Sequence, residues 1–257
     1  MNKPADKSIA NSPNPQQPNY EVMSYYLLRQ LIGILGIALP FILTFGAKYF
    51  GHCNEAQPSI SHYYYSITHI VFVGVLCVLG GFLITYRGKT KFENYTSNLA
   101  GAFAFGVAIF PTNFNGFVGE GGTSCQFIKL TTSNNDIVPA YIGRLHFGLA
   151  ALLFICFVIF CLKIFQELDD ISQAGYKKQR RNRVYKICGY AIMASIVCIA
   201  GITFYNDKTG KDIWPNYIYW FETTSLLPFG ISWLLKGSVN WPHSTNSIKR
   251  KVIQYLR

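Results

Sequence analysis

Six long apolar stretches constrain the fold of this chain more than any other feature of its sequence. A helix needs roughly 20 apolar residues to cross the hydrocarbon core of a bilayer, which is about 30 Å thick. Residues 187–204 form such a stretch without a charged side chain. The sequence therefore predicts an all-α, polytopic integral membrane protein with six transmembrane helices. We place them at residues 28–50, 65–86, 97–114, 144–165, 185–205 and 216–235.

Lysine and arginine residues are distributed unevenly among the segments that join these stretches. If the segments alternate between the two sides of a membrane, beginning with the N-terminus inside, 18 of the 23 Lys and Arg residues lie inside. Positive charge accumulates in short cytoplasmic loops because it resists translocation. The distribution therefore predicts that both termini are cytoplasmic, an N-in/C-in topology.

The formal net charge of +11 has the same origin. Only 14% of the residues are charged, whereas about a quarter is usual for a soluble domain. The basic run at 177–183 adjoins a predicted span, where anionic headgroups attract each positive residue by about 1 kcal/mol. We therefore expect membrane lipids as partners and no nucleic-acid binding.

The sequence divides into one membrane domain and two tails. Residues 1–24 are rich in Asn, Pro, Gln and Ser, a composition typical of a disordered tail. This tail lacks the apolar region of a cleavable signal peptide, so the first span is predicted to direct insertion. Residues 25–238 form the six-helix domain, and 239–257 form a basic cytoplasmic tail. The Lys- and Asn-rich composition favours a bacterial inner membrane.

The seven cysteines separate into two groups. Cys53 and Cys125 fall in the first and second outer loops, where a disulfide is one interpretation if the compartment is oxidising. Two free thiols too far apart to bridge are the alternative. The other five lie inside predicted spans and are interpreted as small packing residues; they are Cys77, Cys156, Cys161, Cys188 and Cys198.

Small residues recur within the predicted helices, among them Gly33, Gly36, Gly80, Gly81 and Gly101. Apolar surface gives little drive for helix association in lipid, so close backbone packing at small residues has to supply it. We therefore interpret these glycines as packing positions.

Ionisable side chains are costly inside a bilayer, and they usually face a cavity or a partner. Glu222 lies about six residues, roughly 9 Å, inside the outer end of the sixth stretch, and His146 follows Arg144 at the outer end of the fourth. His62 and His69 are seven residues apart, which places both on one helix face if the second helix extends that far. These groups predict an outward-facing polar pocket. Its candidate ligand-binding residues are Glu222, His146, Arg144, His62, His69, Ser59 and Ser61.

Each candidate also has a structural interpretation. Glu222 could hydrogen-bond a neighbouring helix, and His69 could be a packing histidine. His146 and Arg144 could extend their polar ends to the interface. A serine in 59–66 more readily caps a helix than acts as a nucleophile.

The sequence predicts no metal and no cofactor. Zinc bound by His62, His69, His146 and Glu222 is chemically reasonable, but the compact HxxxH or HExxH spacing is missing. The P-loop, Rossmann, GxSxG and CxxC patterns are missing from the sequence as well.

An ordered set of short motifs runs along the predicted helices. They are Pro58 to Ser61 (Pro-Ser-Ile-Ser), Tyr86-Arg87, Asn98-Leu99, His146 to Phe154, and Glu222 followed by Phe229-Gly230. This set resembles the six-span family of the damage-regulated autophagy modulators (DRAM), the yeast Sfk proteins and the GPI-lipid-remodelling proteins. The resemblance covers most of residues 28–236 and implies cytoplasmic termini and a link with lipid organisation or remodelling.

His62 departs from that pattern, because the modulators usually carry an acidic residue there. The element Ser-Ile-Ser-x-Tyr-Tyr is more similar to an uncharacterised group of bacterial six-span membrane proteins, from which no biochemical role follows.

Three functions are compatible with the sequence. The leading hypothesis is a pocket that binds or organises a lipid headgroup or another amphiphile. The alternative is a membrane-embedded lipid hydrolase or acyl-transferring enzyme using the same His, Glu and Ser residues, so whether a reaction is catalysed stays open. The third is a transporter or channel, for which six spans suffice in a homo-oligomer. We rank it last because few ionisable residues are expected in the inner halves of the spans.

Overall fold

The computed structural model of the protein describes residues 20–53, 55–113, 139–166 and 176–238. All regular elements in these ranges are helical, which confirms the all-α prediction. A 3-10 helix (Ile60–Tyr65) precedes α2, and a π-helical turn (Phe160–Ile164) continues α4. The α-helices are α1 (Tyr20–Gly51), α2 (His69–Thr85), α3 (Lys91–Ile109), α4 (Ala140–Ile159), α5 (Tyr176–Thr209) and α6 (Tyr217–Ser238).

Three helices within the described ranges are long and apolar enough to cross a membrane. They are Tyr26–Gly51, Ala140–Ile164 and Gln179–Thr209, and α2 is a shorter apolar helix. Large apolar side chains on the outside of the bundle are consistent with contact to lipid, for example Ile70, which is 79% exposed. These features indicate a membrane protein.

Each predicted apolar stretch overlaps one α-helix, but several helices continue beyond the apolar residues. α3 begins at Lys91, six residues before the predicted start, because the Thr90 side chain accepts a hydrogen bond from the Glu93 backbone N–H and caps the helix. α5 likewise includes the basic run at 177–183. A helix continues into polar residues because its backbone hydrogen bonds do not depend on the apolar boundary. Residues 1–19 and 239–257 lie outside the described residues, so most of the first predicted tail and all of the second stay predictions.

The six described α-helices pack as a ring in chain order. Each contacts its neighbours in the chain, and α6 returns to contact α1. Consecutive helices run in opposite directions, so the 3-10 helix marks one end of the ring. We call this the lid end. Arg29, Tyr86 and Glu93 meet at the opposite end.

Glycines allow two helix pairs to approach closely. A Cβ atom at Gly33 in α1 would lie 2.7 Å from the carbonyl oxygen of Gly230 in α6, and one at Gly101 would lie 2.7 Å from that of Gly80. Both contacts confirm packing roles predicted from the sequence. Gly81 differs, because a Cβ atom there would meet nothing within 4 Å.

Candidate functional site

A cavity lies at the centre of the ring, between α1, α2, α3, α4 and α6. The cavity and its mouth together enclose about 590 Å³. Glu222 and Ser61 border it at the lid end, and the rest of the wall is hydrophobic. Wall residues from four of the helices include Leu79, Leu83, Ala104, Leu153, Phe157 and Phe229. The accessible wall is therefore almost wholly apolar, and Glu222 and Ser61 bring the polar groups close to it at the lid end.

The 3-10 helix covers the polar end of the cavity. Ser59 caps this helix, since its side-chain oxygen accepts a hydrogen bond of 3.3 Å from the backbone N–H of His62. Tyr63 donates to the hydroxyl of Thr44 in α1 at 3.2 Å, and Tyr65 donates to the carbonyl of Thr112 beyond α3 at 2.5 Å. These bonds tie the 3-10 helix to two different walls of the ring.

Glu222 joins the 3-10 helix to α6. Its Oε2 accepts a hydrogen bond of 2.6 Å from the backbone N–H of Ile60. The side chain is 9% exposed. Within the described residues this is its only hydrogen bond, and no lysine, arginine or histidine forms an ion pair with it. Glu222 is therefore a buried acid whose second oxygen is not engaged by the protein.

His62 follows Ser61 in the 3-10 helix and is buried. Its Nδ1 lies 2.7 Å from the Ser59 hydroxyl, and its Nε2 has no hydrogen-bond partner. Burial, and secondly the electrostatic interaction with the His146 imidazole, lower the pKa of the His62 imidazole from 6.5 to about 4. His62 is consequently neutral at physiological pH.

His146 is buried in α4, with an exposed fraction of 2%. Its Nδ1 lies 2.6 Å from the carbonyl oxygen of Phe110, at the end of α3. A carbonyl oxygen only accepts, so Nδ1 carries the proton and Nε2 is left as an acceptor. That Nε2 has no hydrogen-bond partner. His146 therefore links α4 to the end of α3 through Nδ1, and its Nε2 is a buried acceptor without a hydrogen bond.

Two of the candidate residues do not join this cluster. The Nδ1 of His69 lies 2.5 Å from the carbonyl oxygen of Tyr64, and its ring packs edge-on against the Tyr64 ring. Arg144 is exposed. It is two residues from His146, about 200° around the helix, and so faces away from the bundle interior.

Cys53 lies in the segment between α1 and the 3-10 helix, is buried, and takes part in a disulfide. The five cysteines interpreted as packing residues have free thiols. Cys125 lies outside the described residues, so its pairing with Cys53 stays a prediction.

A second polar cluster at the opposite end was not expected from the sequence. The Arg29 guanidinium donates to the Tyr86 hydroxyl at 2.8 Å, and this hydroxyl donates to Glu93 Oε1 at 2.5 Å. Glu93 Oε2 accepts from the backbone N–H of Lys89 at 2.9 Å. Arg29, Tyr86 and Glu93 are all buried, and so is Lys236 in α6.

Arg29 stands at the inner end of the first predicted stretch, and Glu93 and Lys236 lie just outside the predicted stretches, so the sequence did not indicate that they are buried. Arg29 and Glu93 lie near the ends of their helices in sequence, where solvated side chains are usual. Only the ring arrangement places Tyr86 between them.

The described residues contain no group of three or more His, Cys, Asp or Glu side chains placed to hold a metal ion. Fold and site together define the class, an all-helical membrane protein with an apolar central cavity closed at one end by buried polar side chains. No protein-family model, curated protein or solved structure matches the chain. The resemblance to the DRAM and Sfk family stays a prediction.

Proposed function

We propose that the protein binds an amphiphile, with the alkyl chain in the central cavity and the polar group beside Glu222 and Ser61. The observation that carries this proposal is the cavity itself, whose wall is hydrophobic except at its lid end. An alkyl chain gains little by leaving lipid for a protein wall, because both are apolar. Affinity and selectivity therefore come from the polar end, where the Glu222 carboxyl is available.

We further propose six transmembrane helices with both termini in the cytoplasm and the lid end outside, in a bacterial inner membrane. The distribution of Lys and Arg supports this orientation. So does the disulfide of Cys53 at the lid end, since disulfides persist in oxidising compartments. A C-terminal alkaline phosphatase fusion tests the topology. It should be inactive, and an active fusion contradicts it.

The substitution Glu222→Gln tests the binding site. Gln keeps an oxygen that can accept from the Ile60 N–H, so the fold should survive while the charge is lost. We expect co-purified amphiphile, measured by mass spectrometry of extracts, to fall relative to wild type. Glu55→Gln is the matched control, because Glu55 is an exposed acid in the segment between α1 and the 3-10 helix. Unchanged content in Glu222→Gln contradicts the proposed role of Glu222.

A second pair of variants tests the apolar part of the cavity. Ala150 in α4 lines the cavity, whereas Leu152 on the same helix is 44% exposed on the outside. Ala150→Phe should fill the cavity and remove the bound amphiphile, and Leu152→Phe should not. Equal retention by both variants would place the bound molecule elsewhere.

A catalytic role is the second candidate, and the contact of 2.7 Å between Ser59 and His62 favours it. A hydroxyl and an imidazole within hydrogen-bond reach form the core of many nucleophilic sites. We rank this candidate lower because the Ser59 oxygen already caps the 3-10 helix. Labelling by a fluorophosphonate in wild type, lost in Ser59→Ala, would favour an enzyme.

Transport is the third candidate, favoured by the second polar cluster at the far end of the ring. Transport requires that the apolar residues between the two polar ends of the ring separate to open a path. Flux of an amphiphile across proteoliposomes would favour this candidate over simple binding.

A further inference from the structure

We infer that the cavity selects an amphiphile with a single alkyl chain and a protonated amine, and that the Glu222 carboxylate is the partner of this amine. This inference rests on the proposed function and names the ligand class of the same site. It follows from the dimensions of the cavity and from the charge at its polar end.

The dimensions favour one chain. Phe72 and Leu83 both line the cavity from α2, and their separation of eleven positions corresponds to roughly 16 Å of wall. The space of about 590 Å³ includes the mouth, so the enclosed part is smaller. The enclosed space is long and narrow, which favours one extended chain over the two chains of a phospholipid.

The charge at the polar end favours a cation. Glu222 makes one hydrogen bond, to a backbone N–H, and no cationic side chain of the described residues pairs with it. A buried carboxylate without an opposite charge is costly, so such a group either takes up a proton or has a cationic partner. The described part of the chain supplies none. An ammonium group of the ligand would supply both the missing charge and a charge-assisted hydrogen bond to Oε1.

The neighbouring groups disfavour an anionic head group. A carboxylate or phosphate in the cavity would face Glu222 with like charge. His62 is neutral, and Arg144 is exposed on the outer face of α4, so neither compensates that repulsion. An alcohol can hydrogen-bond to Glu222 but provides no charge. The expected order of affinity is therefore amine, then alcohol, then carboxylate.

Three ligands that differ only in their head group test this order. Dodecylamine, dodecanol and dodecanoate are titrated against the full chain in phosphatidylcholine nanodiscs, and dissociation constants are measured by native mass spectrometry. In wild type the amine should bind at least about tenfold more tightly than the alcohol, as expected for one charged hydrogen bond. Glu222→Gln should reduce this preference to less than about threefold while leaving the alcohol unchanged.

The outcomes separate the inference from the proposed function. Equal binding of amine and alcohol by wild type, or tighter binding of dodecanoate, overturns the amine assignment and leaves amphiphile binding in place. Co-purification of a two-chain phospholipid with wild type that is lost in Ala150→Phe overturns the single-chain assignment. If none of the three ligands binds wild type, both the inference and the proposed function fail. The wild-type comparison decides the matter even if Glu222→Gln does not fold.

Discussion

The carboxylate of Glu222 in α6 accepts a hydrogen bond of 2.6 Å from the backbone N–H of Ile60, which lies 162 positions earlier in the chain. This bond joins the last helix of the ring to the 3-10 helix that covers the cavity. The same side chain borders the cavity. Glu222 therefore has a structural partner on one oxygen, while the proposed ligand would bind the other, and the two roles can be separated by substitution.

Glu222→Ala should destabilise the protein more than Glu222→Gln does. Alanine leaves the buried N–H of Ile60 without an acceptor, which costs about 1–3 kcal/mol, whereas the glutamine amide oxygen can still accept. Chemical unfolding in detergent measures the difference. Equal stabilities of the two variants would show that the Ile60 bond contributes little. Glu55→Ala, an exposed acid, should match wild type.

The adjacent glycines of α2 should respond differently to the same change. A Cβ at Gly80 would lie 2.9 Å from the Phe105 ring and 3.1 Å from the carbonyl oxygen of Gly101, whereas Gly81 faces open space. Gly80→Leu should therefore lower the free energy of unfolding by about 1–3 kcal/mol through overpacking. Gly81→Leu serves as the control and should remain within about 0.5 kcal/mol of wild type. A similar loss in both variants would contradict the observed α2–α3 contact.

Tyr86→Phe should destabilise the end opposite the lid. The substitution removes the hydroxyl that accepts from Arg29 and donates to Glu93 while keeping the ring. Loss of one bond to a buried charged group costs about 1.5–3 kcal/mol. Tyr95→Phe is the control, because Tyr95 is 69% exposed on α3. Thermal unfolding that does not distinguish the two variants would argue against this buried network.

Acidification should weaken the protein between pH 6.5 and 4. The folded-state pKa of His62 is lowered to about 4, against 6.5 for an unperturbed imidazole. In this window the unfolded chain binds a proton that the folded chain does not, so stability falls as the pH falls, by about 3 kcal/mol at most. Unfolding measured at pH 7 and at pH 4.5 should show a smaller decrease for His62→Gln than for wild type. An equal decrease would assign the effect to other groups.

Digestion without reducing agent should release a peptide that links Cys53 to Cys125. Cys53 is disulfide-bonded, and the cysteines within the helices are free. The link should disappear after reduction and in Cys125→Ser. A linked peptide that contains a different cysteine would contradict the predicted pairing and the loop assignment behind it.

The sequence by itself determined the class of the fold. Apolar stretches long enough for a bilayer dictate helices, because every backbone polar group must be paired within its own segment. The same local reasoning predicted close packing at Gly33 and Gly80. These features depend on neighbours in the chain, which a sequence displays directly.

Only the tertiary structure decided which polar residues meet. Glu222 and Ile60 come together because α6 closes the ring against α1, and no local pattern encodes that closure. Arg144 and His146 are only two residues apart in α4, yet Arg144 is exposed on the outside of the bundle and His146 is buried. Arg29, Tyr86 and Glu93 have sequence positions typical of solvated helix ends, but packing between the helices buries all three. A site assembled from separate helices depends on their rotation and order around the ring, and these are set by side-chain packing between helices rather than by the sequence of any one of them.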